Sequence, residues 1–211
     1  MNRISAVIWD TGGVLIPDRS SELEELVAKF VGISLEEYKG KIDTNKKDLT
    51  TGRKTFLEIY KEVLCKWGKG KTASEAVAEH LRVYGILSGE IDSEIQKLII
   101  ELEEKGYKNI FCTNTEPEVW EFNKKRGLWK NYPDGGVASV EVGVGKPDLG
   151  IYKAALRLVG LLNQPEKAVF VDDKSDYIEA AQEIGIKTVY YPEYGRSEVL
   201  RKQFSELGIG L

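Results

Sequence analysis

Histidine is nearly missing from this chain: His80 is the only one among 211 residues. That scarcity excludes a histidine-centred zinc site, which needs several imidazoles. Cysteine is scarce as well. Cys65 and Cys112 stand far apart, with no metal-ligand spacing and no disulfide framework, so a reduced, cytoplasmic setting is expected. No run approaches the ~20 apolar residues that span a bilayer. The opening MNRISAVIWD holds too short an apolar stretch for a secretory signal, and no membrane partner is expected. Positive charge is in deficit too. Lys and Arg number 30 against 34 Asp and Glu, a net charge of -4, so no basic face for an extended nucleic-acid partner is expected. There is no internal repeat and no low-complexity segment.

What is present is enough apolar material, 42% of the residues, to bury a core of one domain, or of one domain with a small insert. Five short apolar runs end at glycine or at polar residues, as buried strands do. They are residues 4–9 (ISAVIW), 108–112, 136–142, 168–171 and 187–191. Helical periodicity fills the intervals at 90–105, 117–126, 148–159 and 175–184. Strands alternating with helices predict a parallel sheet covered on both faces. Residues 16–87 break the alternation, with helices expected near 21–31, 34–47, 55–67 and 73–84 and no convincing strand. The expected fold is therefore α/β, a doubly wound parallel sheet formed by residues 1–15 and 88–211, with an all-helical insert at 16–87 after the first strand.

In an open parallel sheet the site forms at the carboxyl ends of the strands. Four polar clusters stand at such ends or just beyond them: Asp10, Thr113-Asn114, Lys146 and Asp172-Asp173. Alone, each is explained by a turn or a helix cap. Their joint order is the stronger signal.

The segments VIWDTGGVL (7–15), NIFCTNT (109–115), GVGKPDLGIY (143–152) and VFVDDKSDYIEAA (169–181) resemble, in order, the motifs of the haloacid dehalogenase-like hydrolase superfamily. The likeness is to its helical-cap, phosphatase-like branch, with a Rossmann-like core. The resemblance implies that Asp10 is a nucleophile toward a phosphate ester, splitting a hard hydrolysis into two steps through an aspartyl-phosphate. It implies that Thr113 holds a phosphoryl oxygen and that Lys146 offsets the charge of Asp10 and phosphate. Backbone N–H groups of Thr11, Gly12 and Gly13, together with Asn114, are expected to add phosphate contacts. A carboxylate and a phosphate repel, and Mg²⁺ bridging them removes that barrier. The expected ligands are Asp10, the Gly12 carbonyl and Asp173, with Asp172 either a further ligand or the holder of a metal-bound water. Asp176 is read as a cap of the following helix rather than part of this shell.

One position departs from the pattern. Phosphatases of this superfamily carry a second aspartate, the general acid and base, two residues after the nucleophile. Gly12 stands there. Three readings follow: an Mg²⁺-dependent phosphatase of a small phosphorylated metabolite, sugar phosphates included, helped by a neighbouring acid such as Asp18; a silent phospho-ligand-binding protein; or a 2-haloacid dehalogenase, which the acidic pair at 172–173 argues against. A side chain at Gly12 is expected to clash. In the insert, Arg19, Lys46, Lys47, Arg53 and Lys54 are read as surface residues, Phe30, Phe56, Tyr60 and Trp67 as insert core, and His80 as incidental. The substrate and the oligomeric state are not readable from the chain.

Overall fold

The computed structural model describes residues 3–67, 70–130 and 134–211. Gly68 and Lys69 and the side chain of Trp67 lie outside the described residues. Strand β1 (Ala6–Trp9) is followed by four helices, α1 (Ser20–Val31), α2 (Leu35–Thr50), α3 (Phe56–Trp67) and α4 (Ala73–Ser88). Helix α5 (Ser93–Glu104) leads to β2 (Lys108–Thr113), and α6 (Pro117–Lys125) to β3 (Gly136–Ala138). The chain continues through α7 (Ser139–Val142), α8 (Leu149–Val159), β4 (Ala168–Asp172), α9 (Ser175–Glu183), β5 (Lys187–Tyr190) and α10 (Ser197–Glu206).

The sheet is parallel throughout, in the order β3-β2-β1-β4-β5. Successive strand side chains point to opposite faces, and both faces of β1 are buried. Val7 and Trp9 pack with Ile95, Leu98 and Leu102 of α5 and Leu200 and Phe204 of α10. Ala6 and Ile8 pack with Tyr152, Ala155 and Leu156 of α8 and Ile178 of α9. This two-sided cover explains why the strands read as unbroken apolar runs. Helices α1 to α4 bury a third cluster of their own, with Val27, Tyr38, Ile59 and Val63 at its centre. Phe56 and Tyr60 lie in that cluster and Phe30 packs against it, as expected. Capping boxes at Ser34 and Thr72 start α2 and α4.

Three expectations change. The run at 136–142 is a strand only to Ala138. The Ser139 hydroxyl accepts from Thr115 N–H at 3.0 Å and donates to Thr115 C=O at 3.3 Å, and the chain turns into α7, closed by Gly143 at φ 73°. Asp176 does not cap α9. The residue before that helix is Lys174, whose N–H donates to Asp172 Oδ1 at 2.9 Å, and Asp176 sits inside the first turn. His80 is not incidental: it is buried between α3 and α4, hydrogen-bonded to Tyr60 at 2.8 Å. No helix among the described residues is long and apolar enough to cross a membrane.

Candidate active site

The sheet order reverses between β1 and β4, which opens a crevice at their carboxyl ends. Asp10 follows β1, and its N–H donates to Val171 C=O at 2.9 Å, so sheet bonding extends one residue past the strand and aims the chain into that crevice. Asp172 ends β4 and Asp173 follows it. Thr113 ends β2, with Asn114 next.

Lys146 arrives from the loop between α7 and α8 and lies between two carboxylates. Its Nζ donates to Asp10 Oδ1 at 2.5 Å and to Asp172 Oδ2 at 2.7 Å, and its side chain is 1% exposed. The loop is held by Asn114, whose Nδ2 donates to Lys146 C=O at 2.9 Å and whose Oδ1 accepts from Lys146 N–H at 2.8 Å. A Cβ on Gly145 would lie 2.8 Å from Asn114 Oδ1, so glycine makes this two-way bond possible. Asn114, expected at the phosphate, thus spends both ends of its amide on positioning the lysine.

The turn after Asp10 folds back on itself. The Thr11 carbonyl accepts from Leu15 and Ile16 N–H, and Gly13 N–H donates to Ile16 C=O. The two glycines of this turn differ. Gly13 has φ 81°, and a Cβ there would meet Asp173 Oδ2 at 2.6 Å. A Cβ on Gly12 would meet nothing within 4 Å, so no clash arises at the first side-chain atom.

Carboxylate oxygens of Asp10, Asp172 and Asp173 all lie within 4.8 Å of one another. Burial pushes the Asp10 carboxyl up to about 6 against the pull of Lys146, and repulsion from Asp172 adds to it. Burial also raises Asp172 and Asp173. Burial opposes the charge on Lys146, yet Asp10 and Asp172 outweigh it and hold the ammonium above the usual lysine range. Lys146 holds Asp10 and Asp172, Lys174 stands beside Asp173, and Asp173 Oδ1 is buried with no hydrogen-bond partner, so three carboxylates meet two lysines. An excess of buried oxygen charge with an unpartnered ligand atom suits a hard divalent cation.

Two cavities meet here. A cleft of about 910 Å³ opens over Asp10, Thr113, Lys146 and the helix α2. A smaller cavity of about 220 Å³ lies under the helices α1 and α4. Gly12, Asp18, Thr113 and Glu116 are among the residues that line both. Of the basic residues read as surface, Lys46, Lys47 and Arg53 border the cleft and Arg19 the smaller cavity. Lys54 instead bonds Asn45 and Glu62. Three site residues escaped the sequence reading: Lys174 and Tyr177 beside the acidic pair, and Glu116 at the junction. Burial pushes the Glu116 carboxyl up to about 7. Its place directly after CTNT was the available signal, but an acid before a proline at a helix start reads as a turn residue.

The sequence model of the haloacid dehalogenase-like hydrolases matches residues 4–185. This chain belongs to that family. As a haloacid dehalogenase-like hydrolase it is similar to the sesquiterpene phosphatase astK of Aspergillus oryzae, 27% identical over 188 residues, with 86% of each chain covered. Its fold matches a HAD family enzyme of Bacteroides thetaiotaomicron, BT-2542, at a TM-score of 0.77 and 24% identity, covering 94% of this chain and 99% of the other. The magnesium complex of BT-2542 matches at a TM-score of 0.74 and 25% identity, covering 94% and 98%.

Proposed function

We propose that this hydrolase is a magnesium-dependent phosphomonoesterase whose nucleophile is Asp10, with residues 16–87 as a helical cap over the core formed by 1–15 and 88–211. The observation that carries the reading is the cluster of three carboxylates, Asp10 and Asp172 buried on Lys146 and Asp173 half-buried beside them, at the reversal of the sheet. The phosphatase relative and the magnesium-bound neighbour support it. Asp10, Asp172, Asp173 and the Gly12 carbonyl are the groups that would hold Mg²⁺, which when bound offsets the repulsion between carboxylate and phosphate.

The chain's own groups carry the rest. An Asp10 oxygen attacks phosphorus, the P–O bond to the ester oxygen breaks, and an aspartyl-phosphate forms. Lys146, Thr113 and the N–H groups of Thr11 and Gly12 stabilise the phosphoryl oxygens, the Gly13 N–H being held by Ile16 C=O. The leaving oxygen needs a proton that Gly12 does not supply. Glu116 lines both cavities at their junction, and a carboxyl raised by burial to about 7 is divided between its acid and base forms at neutral pH, as a group that must give and then take a proton requires. It donates that proton to the departing alcohol. It then takes one from the water that cleaves the aspartyl-phosphate, which frees phosphate and restores Asp10. Asp18 also lines the junction but is exposed, and its carboxylate accepts from Ser20 N–H. Glu118 raises the Glu116 pKa further and Lys46 opposes it.

The test is phosphate release from p-nitrophenyl phosphate and a panel of sugar, nucleotide and terpenoid phosphates, with and without Mg²⁺. Wild type is expected to release phosphate only with metal, and Asp10→Asn to lose at least about a thousandfold in kcat. Glu116→Gln is expected to lower kcat/KM for alkyl esters about a hundredfold while sparing kcat/KM for p-nitrophenyl phosphate, whose leaving group needs no proton; kcat falls for both, because the aspartyl-phosphate step they share loses its base. The wild-type decline of alkyl-ester kcat/KM above about pH 7 disappears in that variant. Metal-bound protein that hydrolyses nothing on the panel would instead support the silent phospho-ligand-binding reading that Gly12 suggests.

A further inference from the structure

The smaller cavity continues from the nucleophile's turn into the helical insert, and its walls change character along the way. Near Gly12 and Thr113 it is polar. Deeper in, Leu23, Ile42, Phe56, Tyr84, Leu87 and Val119 surround it. The polar residues at the deep end are uncharged or already engaged. His80 packs on Phe56 with ring centroids 4.0 Å apart, and it is bonded to Tyr60, which bonds Tyr38 at 3.0 Å. Burial drives the His80 pKa down to about 3, so no charge stands there at neutral pH. Tyr84 OH accepts from Asn123 Nδ2 at 2.9 Å. The free polar groups on its walls are the hydroxyls of Thr11, Ser88 and Thr115, buried without a partner and too few for the hydroxyl cluster of a sugar or nucleotide. An apolar chain would displace water at a gain of up to about 0.8 kcal/mol per buried methylene, a factor of about four in affinity.

Gly12 lines both cavities, and the space where its side chain would stand is empty. The missing aspartate is therefore also an open passage from the nucleophile into the apolar cavity. We infer that this cavity is the leaving-group site and that the substrates are phosphate monoesters of extended apolar alcohols. The inference rests on the phosphomonoesterase reading of the cleft. The phosphoryl group lies by Asp10 and Lys146, and the alcohol runs past Gly12 between the helices α1 and α4. Leu87 is the best probe of the wall because it belongs to none of the three packed clusters, so replacing it spares the core.

The experiment pairs binding with turnover, both in Mg²⁺. Calorimetric affinity is measured for n-alkylphosphonates from methyl to decyl, which resist hydrolysis, and kcat/KM for the matching alkyl phosphates. Wild type is expected to tighten by about two- to fourfold per methylene until the cavity is filled. In Leu87→Asp the ratio of octyl to methyl affinity is expected to fall at least tenfold. Phosphate release with a flat or falling length series would overturn the inference and leave the phosphatase reading standing. Length-dependent binding without any release would keep the cavity assignment and overturn the phosphatase reading. A normal length series in Leu87→Asp, with a folded circular dichroism spectrum, would overturn the placement of the alcohol.

Discussion

Two buried ionisable groups in this molecule meet opposite fates. Lys146 lies at the carboxyl ends of the central strands with two carboxylates at hydrogen-bond distance, and it keeps its charge. His80 lies equally deep under the helices with only phenol hydroxyls for company, and it is neutral. Burial penalises charge in both places. What decides is whether an opposite charge has been buried alongside. The first region is built to concentrate charge and the second to exclude it. A phosphate ester with an apolar alcohol asks for such a pair of neighbouring environments.

Removing the partner charge is the harshest way to break this contrast. Lys146→Met leaves Asp10 and Asp172 buried without a cation, and a loss of about 3–5 kcal/mol is expected in metal-free urea unfolding. Mg²⁺ should recover part of it. A loss below about 1 kcal/mol would mean that the carboxylates are neutral or hydrated without the lysine.

The two regions should also give opposite pH slopes. The folded Asp10 pKa is raised, so the folded protein binds more protons than the unfolded chain between about 4 and 6, and stability falls as pH rises through that window. His80 is depressed, so the unfolded chain binds more protons between about 3 and 6.5, and stability falls as pH drops. In metal-free wild type the two slopes oppose each other. In His80→Gln the carboxylate slope is expected to lose its opponent, and in Asp10→Asn the balance to shift toward the histidine slope, with Asp172, Asp173 and Glu116 still opposing it; each change is on the order of a few kcal/mol across its window. Urea midpoints at a series of pH values read both. Mg²⁺ favours the ionised carboxylates, so the Tm gain it gives should grow from pH 5 to pH 7.

The glycine pair gives the finest cut. Gly13→Ala forces a side chain at positive φ against Asp173 and is expected to cost about 1–3 kcal/mol and to weaken Mg²⁺ binding. Gly12→Ala, with open space around it, is expected to stay within about 0.5 kcal/mol of wild type. Thermal melts of both, with and without Mg²⁺, measure the difference. Equal costs would mean that the turn is not held against Asp173.

Much of this was legible in the chain because the strands are short, apolar and end at chemistry. The runs before Asp10, Thr113 and Asp172 are covered on both faces by helices, which is what erases the polar alternation and marks them as central strands. Strand β3 was misread because VASVEV keeps a strand-like pattern while a single serine hydroxyl, bonded across to Thr115, turns the chain away. Asp176 looked like a cap because Asp172, four residues earlier, takes the N–H bond to Lys174 that opens the helix. The tie of Lys146 to both aspartates, the space beside Gly12 and the burial of His80 are facts of distant chain segments meeting. Local pattern carries none of them.

The most direct test of the central assignment is to trap the covalent species. Protein turning over, with Mg²⁺, an ester radiolabelled in its phosphate is quenched in acid and divided: one part is counted for bound label, and the other is reduced with borohydride, which expels the phosphate, so that the modified residue is located by peptide mass. The account predicts label on the wild-type chain and homoserine at position 10, with neither in Asp10→Asn. Release of phosphate with no label on the protein, or label at any other residue, would contradict it.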